Sequence, residues 1–449
     1  MKLYRFRSDP NFTLDELEKN YFYFSLPNEL NDPMEGFINL YWEGDKILWK
    51  NFLKHYLYTL TNTIINIYIL PEAINNPLPI HFDESKFPTK ELQNIFEDLR
   101  DTFFKNNEVN CFLDYLTNIK HRIYINELKN YLGFLQLLSL SIVLNILKKH
   151  EILDWKLPAI YKIGVFDKFA FLMPMVEKQH PDFIKLIFDA CYHVKKEMNL
   201  SFKMGFKDVD ENGIKSFLIN EFPNKYVEEV KALAFSTPCI VSFMEDYSSP
   251  AFWGYYGNKH KGLCLIFDNG NSDNEIHFDF RTTWGGIGCS THKVTYQTKY
   301  EDVNFFKMLG SISLFAIDKF WLSDWEGNRT EYLRIGDNYL TEEWRNEYNK
   351  TLSEAFSIKF PDWQNEKEHR IVLQKELVAN DTPDSRKFVY DFKLLKGIIF
   401  GLRTDDDYKI RVMNCINKKC EECGRTDFKF YQTEYNAKTG LLNIGEVKI

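Results

Sequence analysis

Residues 239 to 267 run Cys239-Ile-Val-Ser-Phe-Met-Glu-Asp-Tyr-Ser-Ser-Pro-Ala-Phe-Trp-Gly-Tyr-Tyr-Gly-Asn-Lys-His-Lys-Gly-Leu-Cys-Leu-Ile-Phe267. The stretch opens on a short apolar run, Cys239 to Phe243, and closes on another, Leu263 to Phe267. Both have the length and composition of buried strands. Between them lie Glu245, Asp246, Trp253, Tyr255, Tyr256, Asn258, Lys259, His260 and Lys261, punctuated by Gly254, Gly257 and Gly262. Two strands joined by a loop of aromatic, acidic and basic side chains can frame a site. The plain alternative is a surface connection of ordinary polar residues.

The pattern extends to both chain ends. Leu3 to Arg7 alternates as a strand, Asp9-Pro10 ends it, Leu14 to Lys19 forms a helical turn, and Tyr21 to Ser25 forms a second strand. The segment 26 to 36, Leu-Pro-Asn-Glu-Leu-Asn-Asp-Pro-Met-Glu-Gly, is a fixed loop carrying Asn31, Asp32 and Glu35. Its Asn and Asp equally suit Asx-turns that only shape the chain. Near the other end, Glu366, Glu368, His369 and Arg370 lead into a strand. In extended chain Glu366 and Glu368 share one face. Strands are expected at His277 to Phe280, Lys293 to Tyr296, Gly397 to Gly401, Lys429 to Thr433 and Leu441 to Ile444, with a helix at Asp405 to Lys418. Trp284-Gly285-Gly286-Ile287-Gly288 is expected to be a loop, because it lacks the flanking strand and helix of a dinucleotide fingerprint.

Residues 43 to 232 differ. Apolar positions recur at three and four, as in Trp49, Phe52, Leu53, Tyr56 and Leu57. Further helical runs are predicted at 90 to 106, 109 to 119, 126 to 149, 168 to 179, 181 to 198 and 211 to 231, and helices also at 302 to 323 and 340 to 357. No fixed-period repeat occurs. The fold class is therefore α+β: a mixed or antiparallel sheet domain from residues 1–42 and 233–449, with a large all-helical insertion at 43–232 as a sensor or partner-binding part.

The bulk numbers narrow the function. With 449 residues, two or three domains are expected, and 44% apolar residues can fill their cores. The abundance of Lys, Asn, Ile, Phe and Tyr matches an AT-rich bacterial genome, so the 16% aromatic content carries no functional weight. A net charge of −8 and no long basic tract argue against an extended surface for duplex nucleic acid. No unbroken apolar run reaches the roughly 18 residues of a membrane span. Phe134 to Leu147 comes nearest and is broken by Gln136 and Asn145. The first residues, Met-Lys-Leu-Tyr-Arg-Phe-Arg, hold no apolar signal core. A cytoplasmic protein without membrane partners is expected. Of eight cysteines, Cys420 and Cys423 form a C-x-x-C with Cys415 upstream, but no second ligand pair accompanies them. Helix residues in a reducing compartment explain them better than zinc.

Taken together, several blocks resemble the bacterial domain-of-unknown-function family 2971. They are Leu-Tyr-Arg-Phe at 3 to 6, Tyr-Phe-Ser-Leu-Pro at 23 to 27, Asn-Asp-Pro-Met-Glu-Gly at 31 to 36, Ser-Phe-Met-Glu at 242 to 245, residues 253 to 267, Glu-Lys-Glu-His-Arg-Ile at 366 to 371 and Ile-Ile-Phe-Gly at 398 to 401. The resemblance covers residues 1–42 and about 233–435 and leaves the helical stretch aside. It implies a layout and candidate residues, and no activity.

Three functions fit these residues. The first is an ADP-ribosyltransferase-like or NAD-cleaving enzyme, a bacterial toxin or phage-defence effector, with NAD as substrate. Arg5, Ser25 and Glu368, with Glu366 as partner, stand in the order such enzymes use. A carboxylate would stabilise the oxocarbenium-like centre left by nicotinamide. Arg5 or Lys261 would hold a pyrophosphate, and Trp253 or Tyr255 would stack on a ring. Tyr4, Asn31, Asp32, Glu35, Tyr256, His260 and Arg370 complete the expected binding set for a nucleotide-type small molecule. The second is a metal-dependent nuclease or phosphodiesterase, with Asp32, Glu35, Glu245 and Glu368 on a divalent metal and Lys261 and Arg370 near a phosphate. The third is non-catalytic: a buried ion network, Arg370 with Asp32 or Glu35, fastens the chain ends, and the helical part binds a ligand or partner protein. For an active site, the loops at 26–36 and 245–262 and the strand start at 366–370 are expected to converge on one cleft.

Overall fold

A computed structural model describes residues 1–84, 86–155, 186, 188–191, 193–194, 197, 213–235, 237–268, 275–282, 285–332, 341–373 and 382–447. The fold is α+β and divides into two compact units. The first joins Met1–Ile38, Thr237–Glu301 and Lys350–Ile449; the second joins Asn39–Ser236 and Asp302–Asn349. The division departs from expectation at 302–349, which groups with the second unit.

The first unit is built on an eight-stranded sheet. Its order is Leu442–Glu446, Lys429–Tyr435, Leu395–Phe400, Leu263–Asp268, Lys2–Arg7, Cys239–Met244, Glu368–Leu373 and His292–Lys293. The N-terminal strand thus lies at the centre, between the two strands of the 239–267 stretch. All neighbours are antiparallel except Leu395–Phe400 and Lys429–Tyr435. That parallel pair needs a long crossover, which the helix Asp406–Cys423 supplies. Asp405 caps this helix by accepting from the amides of Asp407 and Tyr408, and Gly424 ends it at φ +67°.

A second, antiparallel sheet runs Tyr21–Tyr23, Lys387–Val389, His277–Thr282, Gly285–Ser290. One apolar core holds side chains of both sheets: Leu3, Val241, Phe243, Leu265 and Phe267 from the first, Phe22, Phe278, Phe280 and Phe388 from the second. Phe22 sits at its middle, stacked on Tyr390 at 4.3 Å and edge-on to Phe243, Phe267 and Phe278. The opposite face of the first sheet carries Phe6, Met244, Cys264, Ile266 and Ile399 around Trp253. This is the period-two alternation that the strand sequences display.

The glycine run 285–288, expected as a loop, is a strand: Phe280 pairs with Ile287 and Asp279 with Gly288. Glycines show no alternation, so the pattern was invisible. A Cβ on Gly288 would stand 2.8 Å from His277 Nε2, so a side chain there would require the exposed His277 ring to move.

The second unit contains helices Lys46–Ile69, Lys90–Lys105, Asn107–Asn118, Ile125–Lys149 and Phe222–Ala234. It is not wholly helical, because Ile123–Tyr124 pairs with Tyr41 and Trp42 in a three-stranded sheet. The predicted helix at 302–323 is also replaced. Asp302–Asn304 is a strand of that sheet, Phe305–Lys307 a 3-10 turn, and Leu314–Ala316 runs into a π turn at Ile317–Trp321. The break falls where Gly310 lies against Tyr348; a Cβ there would come within 2.3 Å of the ring. Helix Ile125–Lys149 is long and apolar enough to cross a membrane by length and composition, but 72% of its most apolar window is buried inside the protein. The run expected at 168–179 lies outside the described residues, and those at 181–198 and 211–231 are described in part.

Candidate functional site

The site begins where the central ladder parts. Lys2–Arg7 and Cys239–Met244 share one register pair, Tyr4 with Met244. Farther along, Ile240 takes a new neighbour and exchanges two backbone hydrogen bonds with Ser25, at 2.8 and 2.9 Å. Arg5 occupies the gap. Its Nη1 donates to the Ser242 carbonyl at 2.9 Å and its Nη2 to that of Tyr23 at 3.3 Å. The alternation of its strand puts Arg5 on the apolar face, where the guanidinium lies 5.3 Å from the Phe22 ring and 5.6 Å from Phe243.

A cleft of about 270 Å³ opens at this split. Its walls include Tyr4, Arg5, Arg7, Ser25, Glu29, Asn31, Glu35, Ser242, Tyr256, Lys359, Glu366 and Glu368. The loop after Ser25, the Tyr256 corner and the segment leading into Glu368–Leu373 therefore meet on one cleft.

Charged side chains form a closed network below it. Arg370 bonds Glu35 through Nη1 and Nη2 at 2.5 and 2.9 Å, Glu368 through Nε and Nη2 at 2.7 and 2.9 Å, and the Phe356 carbonyl at 2.8 Å. Lys359 Nζ stands 2.8 Å from Glu368, 3.0 Å from Glu366 and 3.7 Å from Glu35. The Tyr256 hydroxyl donates to Glu366, and the Glu368 amide donates to the Tyr296 hydroxyl at 2.8 Å. All five charged side chains are buried. Burial alone would raise the Glu368 carboxyl, but Arg370 and Lys359 outweigh it and hold it at about 2. At Glu35 burial wins over the same two cations, and its pKa is raised.

Glu366 and Glu368 reach Lys359 by a different route from the one expected. Glu366 ends a 3-10 turn, Pro361–Glu366, and Lys367 has φ +43°, so the chain between the carboxylates is bent and not extended. Across this bend both carboxylates still face Lys359.

Six residues expected at the nucleotide site do not line the cleft. Asp32 is buried and uses Oδ1 to accept from the Met34 amide at 2.9 Å, an Asx-turn. Trp253 is a core residue, donating Nε1–H to the Tyr247 carbonyl at 2.8 Å and packing on Phe6 at 5.1 Å. Of the two proposed stacking rings, Tyr255 is the one in solvent, at 80% exposure. His260 uses its carbonyl to accept from the Arg403 amide at 2.9 Å, and burial, then Arg403, lowers its pKa. Lys261 is exposed at the same corner. Arg370 lies beneath the cleft lining with no exposed surface.

The carboxylates proposed for a metal are not assembled on one point. Glu245 pairs with Lys293 at 2.7 Å and His369 at 2.9 Å, while Glu35 and Glu368 share Arg370. Among the described residues no group of three or more His, Cys, Asp or Glu is arranged to hold a metal ion.

Sequence reasoning missed Arg7, Glu29, Ser242 and Lys359. Ser242 had a signal, as a polar residue inside a buried apolar strand. Lys359 had none, because a lysine before Phe-Pro is ordinary on a surface. No family model, curated protein or solved structure matches this chain.

Proposed function

We propose that the first unit is an NAD-cleaving or ADP-ribosyltransferase-like enzyme. One observation carries the reading: Arg5, Ser25, Glu366 and Glu368, from distant parts of the chain, line one cleft. In the reaction, the bond from ribose C1′ to the nicotinamide nitrogen breaks, and its electron pair leaves with nicotinamide. Positive charge develops on C1′ and the ring oxygen, and an ionised carboxylate stabilises it. Glu368, held at about 2, supplies that charge at neutral pH. Water or an acceptor then bonds to C1′ and gives up a proton. Glu366, already accepting from Tyr256, is the carboxylate available to take it. Ser242 joins Ser25 as a candidate hydroxyl, since its strand lies between those of Arg5 and Glu368. The resemblance to family 2971 names no activity and adds no chemistry to this reading. The reading includes a cytoplasmic effector whose second unit acts as sensor or partner-binding part.

The test is incubation of the full chain with NAD and chromatography of released nicotinamide. Glu366→Gln and Glu368→Gln are each expected to lower the rate by about 100-fold or more, the range for a lost general acid–base or charge-stabilising group. No nicotinamide above background, with water or added acceptors, would overturn the proposal.

A second reading has its own support. Arg370 is fully enclosed by Glu35 and Glu368, which suits a structural clasp. The unit would then bind a ligand without transforming it, and saturable NAD binding with no nicotinamide release would favour that reading. The metal-dependent alternative draws less support, because its carboxylates are engaged by separate partners.

A further inference from the structure

The charges around the cleft do not balance locally. In one cluster Arg5 and Arg7, both on the cleft wall, stand against one carboxylate, Glu16. Arg7 engages both oxygens of Glu16, and Arg5 Nε comes no nearer than 3.9 Å. That Nε is buried without a hydrogen-bond partner, although Arg5 as a residue is only 8% exposed. Burial, then the neighbouring Arg7, lowers the Arg5 pKa to about 9, with Glu16 opposing. One positive charge is in excess there.

In a second cluster Glu35, Glu366 and Glu368 face Arg370 and Lys359. Three carboxylates against two cations leave one negative charge in excess. Among the described residues no ion pair joins the two clusters. Glu29, on the same wall, is matched by Arg386 at 2.8 Å and changes neither sum.

Uncompensated charge in a low-dielectric cleft is costly and draws a counter-charge from outside. Two opposite excesses in one cleft draw both signs. We infer that the cleft takes a dipolar ligand, its anionic group toward Arg5 and its cationic ring or ammonium toward Glu366 and Glu368. Tyr256, beside Glu366, offers an aromatic ring to such a cation. The inference rests on the NAD-cleaving reading for one detail: it names the oxidised pyridinium nucleotide, and not the neutral reduced one, as the form held.

The test is titration calorimetry on the full chain with matched probes. Oxidised nicotinamide mononucleotide is expected to bind at least tenfold more tightly than its reduced form. Phosphocholine, dipolar but no nucleotide, is expected to bind more tightly than inorganic phosphate or choline alone. Glu366→Gln should remove both preferences while leaving phosphate binding in place. Equal affinities within each pair, or no binding of any dipolar probe, overturn the inference, and the wild-type pairs decide it even if the variant does not fold. The expected order without nicotinamide release would keep the dipolar cleft and sink the catalytic reading. Nicotinamide release with equal affinities would do the reverse.

Discussion

Arg370 and Glu35, 335 positions apart in the sequence, hold each other through two hydrogen bonds with neither side chain more than 1% exposed. The pair ties the loop after the second strand to the strand Glu368–Leu373. Removing one partner of such a pair leaves buried charge without compensation, at about 3–5 kcal/mol. Arg370→Ala strands three carboxylates with Lys359 alone, so a loss in that range is expected from urea denaturation of the first unit. Arg370→Lys keeps the charge but cannot grip two carboxylates bidentately, and should fall between.

The two carboxylates on Arg370 have opposite pH signatures. Glu368 is depressed from 4.5 to about 2, so its contribution is present above 4.5 and is lost as pH falls toward 2. Glu35 is raised by burial, so its ionised form opposes folding, and that cost fades as pH falls. Glu35→Gln is therefore expected to cost less at pH 7 than Glu368→Gln. Only the Glu368 variant should lose part of the acid-induced decline below 4.5. Denaturation curves at neutral and acid pH check both signs.

In the second unit His55 is buried between Tyr226 and the Ile80 carbonyl, at 2.8 and 2.7 Å. A carbonyl only accepts, so Nε2 carries the hydrogen and Nδ1 receives the Tyr226 hydroxyl. Burial, against the Ile80 bond and with Lys54 and His81 nearby, lowers its pKa from 6.5 to about 4. A depressed histidine contributes stability above 6.5 and loses it as pH falls toward 4. The full span corresponds to about 3 kcal/mol. Loss of that order between those limits is expected, with the His55 ring protons titrating near 4 by NMR. His55→Gln should flatten the decline.

What was legible follows from what each residue signals locally. Leu3, Phe243, Leu265 and Phe267 show strand periodicity because one face of each strand is buried, and so the central sheet could be read. Asn31, Glu35, Glu366 and Glu368 stood out as polar residues in fixed loops or at strand starts, and all line the cleft. Trp253 and His260 misled because aromatic and basic residues in a glycine-rich loop suit a site and a tight corner equally. Lys359 was silent, since a lysine a few positions before Glu366 and Glu368 is ordinary, and its third partner, Glu35, comes from the far end of the chain, a relation that sequence spacing does not encode. The strand at 285–290 was hidden by its glycines.

That tight corner yields a last expectation. Asn258, Lys259 and His260 have φ of 49°, 54° and 71°, three successive residues in the left-handed region. Such a conformation costs a non-glycine residue roughly 1–2 kcal/mol, and the corner persists because its ends are pinned. The Gly262 amide donates to the Gly257 carbonyl at 2.8 Å, and the Gly401 amide to the Gly262 carbonyl at 3.1 Å. Close backbone approach fixes both glycines: a Cβ on Gly262 would stand 2.1 Å from the Arg7 carbonyl, and one on Gly401 2.3 Å from that of His260. Gly262→Ala must push the corner away from Arg7, a residue of the cleft wall, and is expected to destabilise the first unit and weaken ligand binding together. Lys259→Gly relieves left-handed strain but frees the unfolded chain, opposing effects whose difference is at most about 1.5 kcal/mol. Its stability should be unchanged or slightly higher, with ligand binding intact. A large loss from Lys259→Gly in thermal denaturation would mean that its side chain, and not the backbone turn, holds the corner.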